Sequence, residues 1–339
     1  MNTKRKKIAL IYGGEGFEHE ISVMSAENLY NLIDGEIYEV IKVKIEKNGQ
    51  WYLCAERGKK EVKIPTFPAR IEGSSGFLVK NKILPIDCIV PCLHGNMGED
   101  GVIQGALTAA GIKYVGQDVY ASAFTADKAF TKLAAEHLKI PTARFITLSK
   151  KTSEEAKIKA EGEIGYPMFI KPSRLGSSLG AKPILNSDEF CEAYENALKY
   201  DDRVMIEELV SYEYELECGY FNGNISAGGK ILSDGAFYDF DAKYKKNTRA
   251  EVSTGKDGNA ESIAAEYSKR LAEFIGIRHL ARIDFFVTRG GEVLFNEINA
   301  FPGMTASSLY PKLTVDIGYR EGEFINLLIE SALQDDRSI

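Results

Sequence analysis

The sequence predicts an α/β protein whose C-terminal half has α+β character. In the first third, short apolar strand-like runs alternate with helical patterns, and the runs at 7–12 and 87–93 both end in glycine-containing turns. This alternation is typical of a parallel sheet, in which ligands gather at the carboxyl ends of the strands. Beyond about residue 200 strand-like runs dominate, with single strands expected at 224–231, 281–288 and 292–298.

Three domains are expected from this order of elements. They comprise an N-terminal α/β substrate domain, a central subdomain and a C-terminal subdomain, with the bounds 1–118, 119–208 and 209–339. The central subdomain should open with one helix over 121–138 and contain a strand at 167–171. A chain of 339 residues can bury large cores without disulfides or structural metals.

Composition excludes several classes of function. The net charge is −7, whereas a protein that wraps nucleic acid needs a basic face. No apolar stretch reaches the roughly 18–20 residues needed to cross a bilayer, so we expect a cytoplasmic protein that binds neither nucleic acid nor membrane. None of the five cysteines forms a CxxC pair, and we expect neither a disulfide nor a zinc site.

The strongest chemical signal lies in two C-terminal segments, Arg282-Ile283-Asp284 and Asn296-Glu297-Ile298-Asn299. Because side chains alternate along a strand, Glu297 and Asn299 share one face, and Asp284 can meet them from a neighbouring antiparallel strand. Two carboxylates and an amide oxygen form the all-oxygen set that magnesium prefers. The alternative is a solvent-facing polar side of a sheet, but the flanking residues are strongly apolar, and buried carboxylates need a partner.

The second signal is a strand that ends in Lys171 and continues into a loop of glycine and serine, residues 172–180. Backbone N–H groups and the hydroxyls of Ser177 and Ser178 can cradle phosphates while the lysine supplies charge. Taken alone, a glycine-serine hairpin explains this loop equally well. Beside an oxygen-rich metal site, the loop predicts nucleotide binding.

Together with further motifs, these segments are similar to the ATP-grasp superfamily and, within it, to the D-alanine–D-alanine ligases. The resemblance extends from the first strand to about Leu313. It is carried by Gly13-Gly14 to Glu20; His94-Gly95 with Gly98-Glu99-Asp100-Gly101; Asp127-Lys128; Ile170-Lys171-Pro172 with Gly176-Ser177-Ser178; Ala242-Lys243-Tyr244; Arg282-Ile283-Asp284; Asn296-Glu297-Ile298-Asn299; and Gly303 with Ser308-Leu309.

The resemblance implies ATP-dependent joining of two D-alanines through a D-alanyl phosphate, for peptidoglycan precursor synthesis, with ATP held between two α+β subdomains. It implies catalytic or substrate-binding roles for Glu18, His94, Ser177, Tyr244, Arg282, Gly303, Ser308 and Leu309. It implies ATP contacts for Lys128, Lys171, Ser178, Glu207, Glu215 and Lys243. It implies that Asp284, Glu297 and Asn299 bind magnesium, as two ions, with manganese as an alternative. It also implies a homodimer and a mobile lid that carries Tyr244.

Several alternatives stay open. The segment 207–217 reads as one residue longer than is usual in the family, which favours Glu215 over Glu213 at the ribose. D-serine is an alternative second substrate, although Leu309 and Tyr244 match the D-alanine branch. Another ATP-grasp amino-acid ligase would share the phosphate and metal residues but not Glu18 or the Ser308-Leu309 pair. The turn 13–18 does not fit the GxGxxG pattern of a nucleotide-dependent oxidoreductase, and Asp284-Phe285-Phe286 is not the DFG motif of a kinase. A non-catalytic binding module would not need a complete set of phosphate, metal and oxyanion residues.

Overall fold

A computed structural model describes residues 5–57, 60–149, 151–226, 228–232, 249–252, 259–320 and 322–335. The part up to residue 117, here the first unit, contains the following elements: β1 (Lys6–Gly13), α1 (His19–Leu32), β2 (Tyr38–Ile45), β3 (Trp51–Arg57), β4 (Lys60–Pro65), β5 (Pro68–Ile71), β6 (Ser74–Val79), β7 (Lys82–Pro85), β8 (Cys88–Cys92) and α2 (Val102–Ala109).

The main sheet of the first unit has the order β4-β3-β2-β1-β8. Strands β2 and β8 both run parallel to β1, which confirms the predicted parallel core. Alternation along β1 buries both faces of the sheet: Ile8 and Leu10 belong to one core, Ala9 and Ile11 to the other. The chain leaves β1 at Gly13, whose φ of +96° suits glycine and where a Cβ would overlap the carbonyl oxygen of Ile45.

Strands β3 to β7 are absent from the sequence prediction. β3 and β4 extend the main sheet as antiparallel strands, and β5 to β7 form a separate three-stranded sheet. They are short, and β5 and β6, for example, are linked by a tight turn at Gly73. Strands of this length show too few alternating residues to be told from a long loop. Their aromatic residues Trp51 and Phe77 nevertheless complete the core beneath α2.

The central unit consists of residues 118–208. Its elements are α3 (Val119–Ala126), α4 (Lys128–His137), β9 (Phe145–Ser149), α5 (Ser153–Glu163), β10 (Met168–Pro172), β11 (Lys182–Ile184), α6 (Phe190–Leu198) and β12 (Arg203–Glu208). All neighbours in its sheet, of order β11-β10-β12-β9, are antiparallel.

The prediction of a single helix over 121–138 is wrong, because the helix is interrupted at Asp127. This residue has extended backbone angles, φ −95° and ψ 106°, and its carboxylate accepts a hydrogen bond from the N–H of Ala129. Asp127 therefore ends α3 and caps the N-terminus of α4. The same carboxylate binds Ser173 Oγ at 2.6 Å and Arg203 Nη1 at 2.7 Å, which fixes α4 against the strands below it.

The third unit comprises the remaining described residues. Its elements are β13 (Tyr214–Phe221), β14 (Asn224–Ile225), β15 (Gly229–Leu232), β16 (Arg249–Val252), α7 (Asn259–Ile275), β17 (Leu280–Val287), β18 (Val293–Asn299), α8 (Leu309–Asp316) and α9 (Glu323–Gln334). The strand predicted over 224–231 is two strands, β14 and β15, and Ser226, just after β14, accepts a hydrogen bond at Oγ from the N–H of Gly219. The sheet has the order β16-β15-β13-β17-β18, with β14 on β13.

Two features join the units. Thr142 of the central unit forms a parallel bridge with Phe295 of β18. The central and third units therefore meet at the strand that carries two of the predicted metal ligands. Helix α9 packs back on the first sheet, where Phe324 and Leu328 share a core with Ile8 and Leu10. Within the described part of the chain, no helix is both long and apolar enough to cross a bilayer.

We predict that Asp127→Ala lowers the free energy of unfolding by about 2–4 kcal/mol, because it removes a cap and leaves Arg203 and Ser173 without their buried acceptor. Urea unfolding with an unchanged m-value would measure this loss. Asp127→Asn, which retains a capping oxygen, should lose less, and Glu136→Ala on the exposed side of α4 serves as control. A loss in Asp127→Ala no larger than in that control would contradict the role of Asp127.

Candidate active site

A cleft lies between the sheets of the central and third units. Its walls include apolar side chains suited to a flat ring, among them Phe169, Leu209, Val210 and Phe286. Seven residues predicted from the sequence line the same cleft: Lys128, Lys171, Ser177, Ser178, Glu207, Glu215 and Glu297. The cleft therefore contains residues assigned to the nucleotide together with Glu297, which was assigned to the metal.

The floor of the cleft contains a buried ionic group centred on Glu207. Its Oε1 accepts a 2.6 Å hydrogen bond from Lys171 of β10, and its Oε2 lies 3.1 Å from Nζ of Lys132 of α4. Burial alone would raise the pKa of Glu207, but the charges of Lys132 and Lys171 outweigh burial and lower that pKa below its ordinary value. The carboxylate thus stays ionised and holds Lys171 at the edge of the cleft.

Lys132 is a residue that the sequence reasoning missed. Its side chain is fully buried, and Nζ donates a 2.8 Å hydrogen bond to Thr142 Oγ1, which in turn donates to the carbonyl oxygen of Phe295 at 2.8 Å. A signal was available, because Lys132 follows Lys128 by one helical turn and so shares its face. The buried ionic group is thereby tied to strand β18.

The predicted metal face forms as expected from strand alternation. β17 and β18 are antiparallel with Asp284 opposite Glu297 and Arg282 opposite Asn299. Asp284 accepts two 2.8 Å hydrogen bonds from the Arg282 guanidinium and one of 2.9 Å from Asn299 Nδ2. Glu217 of β13, another residue not predicted, lies 3.0 Å from Arg282 Nε and gives that guanidinium a second carboxylate.

The oxygens present on this face fit a hard divalent cation. A register shift at Asp284/Phe285 leaves Asn296 as an extra residue on β18, and its buried Oδ1 has no hydrogen-bond partner among the described residues. Glu297 Oε2 lies 3.4 Å from Lys128 Nζ, so one of the lysines of the cleft lies directly beside this carboxylate. No three histidine, cysteine, aspartate or glutamate side chains cluster in the described ranges, and the oxygens on this face include the side-chain amides of Asn296 and Asn299.

The glycine-serine loop connects the cleft to the first unit. Ser177 and Ser178 both have left-handed φ angles, 56° and 55°, so the loop is folded rather than extended. Lys128 Nζ donates to the carbonyl oxygen of Leu175 at 2.8 Å, which holds the loop over the cleft. Ser177 Oγ donates a hydrogen bond to Glu18 of the first unit.

Glu18 immediately precedes helix α1 and lies against Gly95, where a Cβ would overlap its carboxylate. Glu99 lies near Glu18 and has no role in the sequence prediction. Its carboxylate accepts hydrogen bonds from the N–H groups of Gly95 at 2.7 Å and Phe301 at 3.0 Å. Burial, and then the charge of Glu18, raises the pKa of Glu99 to about 7. An ammonium group placed beside Glu18 would relieve this accumulation of negative charge.

His94, predicted to bind substrate, contacts protein groups through both ring nitrogens. Nδ1 lies 3.2 Å from the carbonyl oxygen of Phe301, and Nε2 lies 3.2 Å from Ser25 Oγ. Burial lowers the pKa of His94, so the ring is neutral, and a carbonyl can only accept. Nδ1–H therefore donates to Phe301, and Nε2 accepts from the Ser25 hydroxyl.

The residues predicted for the second substrate lie at the start of α8. Ser308 precedes this helix, and its Oγ accepts a 3.0 Å hydrogen bond from the N–H of Thr305, which closes a tight turn after Gly303. The Leu309 side chain packs with Ile231 and Leu313 in a small buried cluster. A carboxylate would meet the helix start rather than this side chain.

The remaining predicted residues divide into two groups. Glu215 lines the cleft and accepts a 3.0 Å hydrogen bond from Tyr212, whose ring stacks on Phe286 at 4.6 Å, whereas Glu213 is exposed. This position favours Glu215 for the ribose hydroxyls. Lys243 and Tyr244 lie outside the described residues, and their roles stay predictions.

The raised pKa of Glu99 predicts a pH dependence of stability. The folded protein retains a proton on Glu99 that the unfolded chain, with an ordinary pKa of 4.5, has released. The stability that Glu99 contributes is therefore complete below about pH 4.5 and falls as the pH rises through about 7. The difference in unfolding free energy between wild type and Glu99→Gln, measured in urea from pH 5 to 8, should fall across this range. A constant difference would contradict the assignment.

Comparison with known proteins agrees with this geometry. The family described as D-ala D-ala ligase N-terminus matches residues 7–117, and that described as D-ala D-ala ligase C-terminus matches residues 134–330. A D-alanine--D-alanine ligase of Lactobacillus helveticus is 34% identical over 98% of this chain and 96% of its own length.

Two solved structures are similar throughout. The D-alanine-D-alanine ligase from Coxiella burnetii has a TM-score of 0.86 at 28% identity, covering 99% of this chain and 95% of that one. The VanG D-Ala:D-Ser ligase from Enterococcus faecalis has a TM-score of 0.86 at 29% identity, covering 97% of this chain and 100% of that one. The fold is therefore that of the ATP-grasp enzymes, and the chain belongs to the D-alanine–D-alanine ligase family.

Proposed function

We propose that this protein joins two molecules of D-alanine to D-alanyl-D-alanine, for peptidoglycan precursors, with ATP as the activating co-substrate. The observation that carries the proposal is the hydrogen bond from Ser177 to Glu18. It connects a loop suited to phosphates with a carboxylate suited to an ammonium group, at the mouth of a cleft with the lysines that a nucleotide needs. A site that activates an amino acid requires this adjacency.

In the first step the carboxylate of one D-alanine attacks the terminal phosphorus of ATP, giving D-alanyl phosphate and ADP. Phosphoryl transfer of this kind depends mainly on positioning and on neutralising charge. Glu18 would hold the ammonium of that D-alanine, while Lys128 and Lys171, which both line the cleft, would bind the phosphates. The buried carboxylate of Glu207 keeps Lys171 in place.

In the second step the amine of another D-alanine attacks the acyl carbon, and phosphate leaves. The negative oxygen that develops needs donors that are already in place. Arg282 and the N–H of Gly303 would supply them, and Ser308 with the start of α8 would receive the carboxylate of the incoming amino acid. Arg282 already has two carboxylates around it, which fixes its direction.

Magnesium would be held by Asp284, Glu297 and Asn299, with Asn296 as a further oxygen donor beside them. When bound, the ion would offset the negative charge of the phosphate oxygens. Lys128, whose Nζ lies 3.4 Å from Glu297 Oε2, would add positive charge beside these residues. Two ions, the homodimer and the cytoplasmic location stay predictions.

D-serine is the second candidate for the incoming amino acid, because one solved structure of similar fold is a D-Ala:D-Ser ligase. The Leu309 side chain and its apolar neighbours Ile231 and Leu313 offer no partner for an additional hydroxyl. This apolar surrounding favours D-alanine.

A product assay tests the function directly. The protein would receive ATP, magnesium, D-alanine and equal pools of D-serine and D-lactate, and products would be identified by mass. We expect D-alanyl-D-alanine as the main product, with one ADP per dipeptide. D-alanyl-D-serine in excess would favour the alternative, and ADP release without any dipeptide would contradict both.

Glu297→Ala should reduce D-alanine-dependent ADP release by at least about 10²-fold, because the phosphates would lose an ion ligand. Calorimetry of magnesium binding in the presence of ADP should show the same loss without turnover. Glu292→Ala, an exposed residue at the turn before β18, serves as control and should behave as wild type. Magnesium binding as tight as in that control would contradict the metal assignment.

A further inference from the structure

The turn that carries Gly303 is held largely by side chains of the first unit. On one side of this glycine, both backbone groups of Phe301 are bound. Its N–H donates to Glu99 at 3.0 Å, and its carbonyl oxygen lies 3.2 Å from His94 Nδ1. Neither Glu99 nor His94 belongs to the unit that contains Gly303.

On the other side, both backbone groups of Met304 are bound by helix α1. Its N–H donates to Ser25 Oγ at 3.3 Å, and its carbonyl oxygen accepts from Asn28 Nδ2 at 2.8 Å. Ser25 and Asn28 are three residues apart and so lie on the same face of the helix. The Met304 side chain is fully buried in the core that the first unit shares with α8 and α9.

Two of these four side chains contact each other, and Glu99 also binds the residue that follows His94. Ser25 Oγ lies 3.2 Å from His94 Nε2, and Glu99 accepts from the N–H of Gly95 at 2.7 Å. Gly95 in turn packs against the carboxylate of Glu18. A continuous set of contacts therefore leads from the carboxylate of Glu18 to the backbone on both sides of Gly303.

We propose that Ser25, Asn28, His94 and Glu99 are positioning residues that set the Gly303 N–H relative to Glu18. This inference rests on the proposed function, in which that N–H stabilises the oxyanion. A donor in a turn has no regular hydrogen-bond ladder to fix it, and a misplacement of about 1 Å can cost a rate factor of ~10². Binding of the flanking N–H and C=O groups fixes the position and the direction of the peptide.

The arrangement also assigns His94 a role different from direct contact with substrate. With Nδ1 donating to Phe301 and Nε2 accepting from Ser25, neither ring nitrogen has capacity left for a ligand. His94 therefore orients the turn that carries Gly303, and the substrate would contact the Gly303 N–H rather than His94.

The test compares Asn28→Leu and Glu99→Gln with wild type, with Glu27→Gln on the exposed face of α1 as control. Asn28→Leu keeps the size of the side chain and removes the donor to Met304, and Glu99→Gln removes one of two acceptors. Three quantities would be measured: kcat for dipeptide formation, the affinity for ADP by calorimetry, and amide hydrogen exchange of the segment 299–305 without ligands.

We expect both variants to lose about 10- to 100-fold in kcat. Their ADP affinity should stay within about twofold of wild type, and exchange at 299–305 should be faster while that of β10 is unchanged. Wild-type kcat in both variants, or ADP affinity falling as much as kcat, would overturn the proposal. If wild type itself made no dipeptide, the proposed function would fail, whereas unchanged exchange at 299–305 would overturn the positioning role independently.

Discussion

The geometry of the cleft depends on one buried carboxylate. Glu207 neutralises two lysines from different elements, Lys171 of β10 and Lys132 of α4, and removing such a partner would leave an uncompensated buried charge. Lys132 also donates a hydrogen bond to Thr142, which donates in turn to the backbone carbonyl oxygen of Phe295 in β18. Strand β18 carries Glu297 and Asn299 and leads to the turn at Gly303, so the ionic group is connected to the strand that holds two of the proposed metal ligands.

The parts of the site that the sequence predicts are those that follow from periodicity. Alternation along two apolar strands is sufficient to place Asp284 opposite Glu297, and their pairing is observed. The strand that contains Lys171 likewise places this lysine in the lining of the cleft. These inferences succeed because strand geometry relates sequence spacing to direction.

Other features depend on contacts between distant residues. The break at Asp127 arises because its carboxylate serves Ser173 and Arg203 as well as the helix end, and a helical pattern alone cannot indicate this. The extra residue Asn296 on β18 follows from a local register shift. The hydrogen bonds of His94 and Glu99 to Phe301 join residues about 200 positions apart, so spacing in the sequence gives no sign of them.

Helix α9 has a consequence for synthesis of the chain. It completes the core of the first sheet, although roughly 230 residues separate Cys92 at the end of β8 from Glu323 at the start of α9. At translation rates of ~5–20 residues per second, the ribosome needs on the order of 10–50 s to make that stretch. During this interval α1 already packs on this face of the first sheet, but the part that α9 later covers stays exposed, and exposed apolar surface of this kind is prone to aggregate.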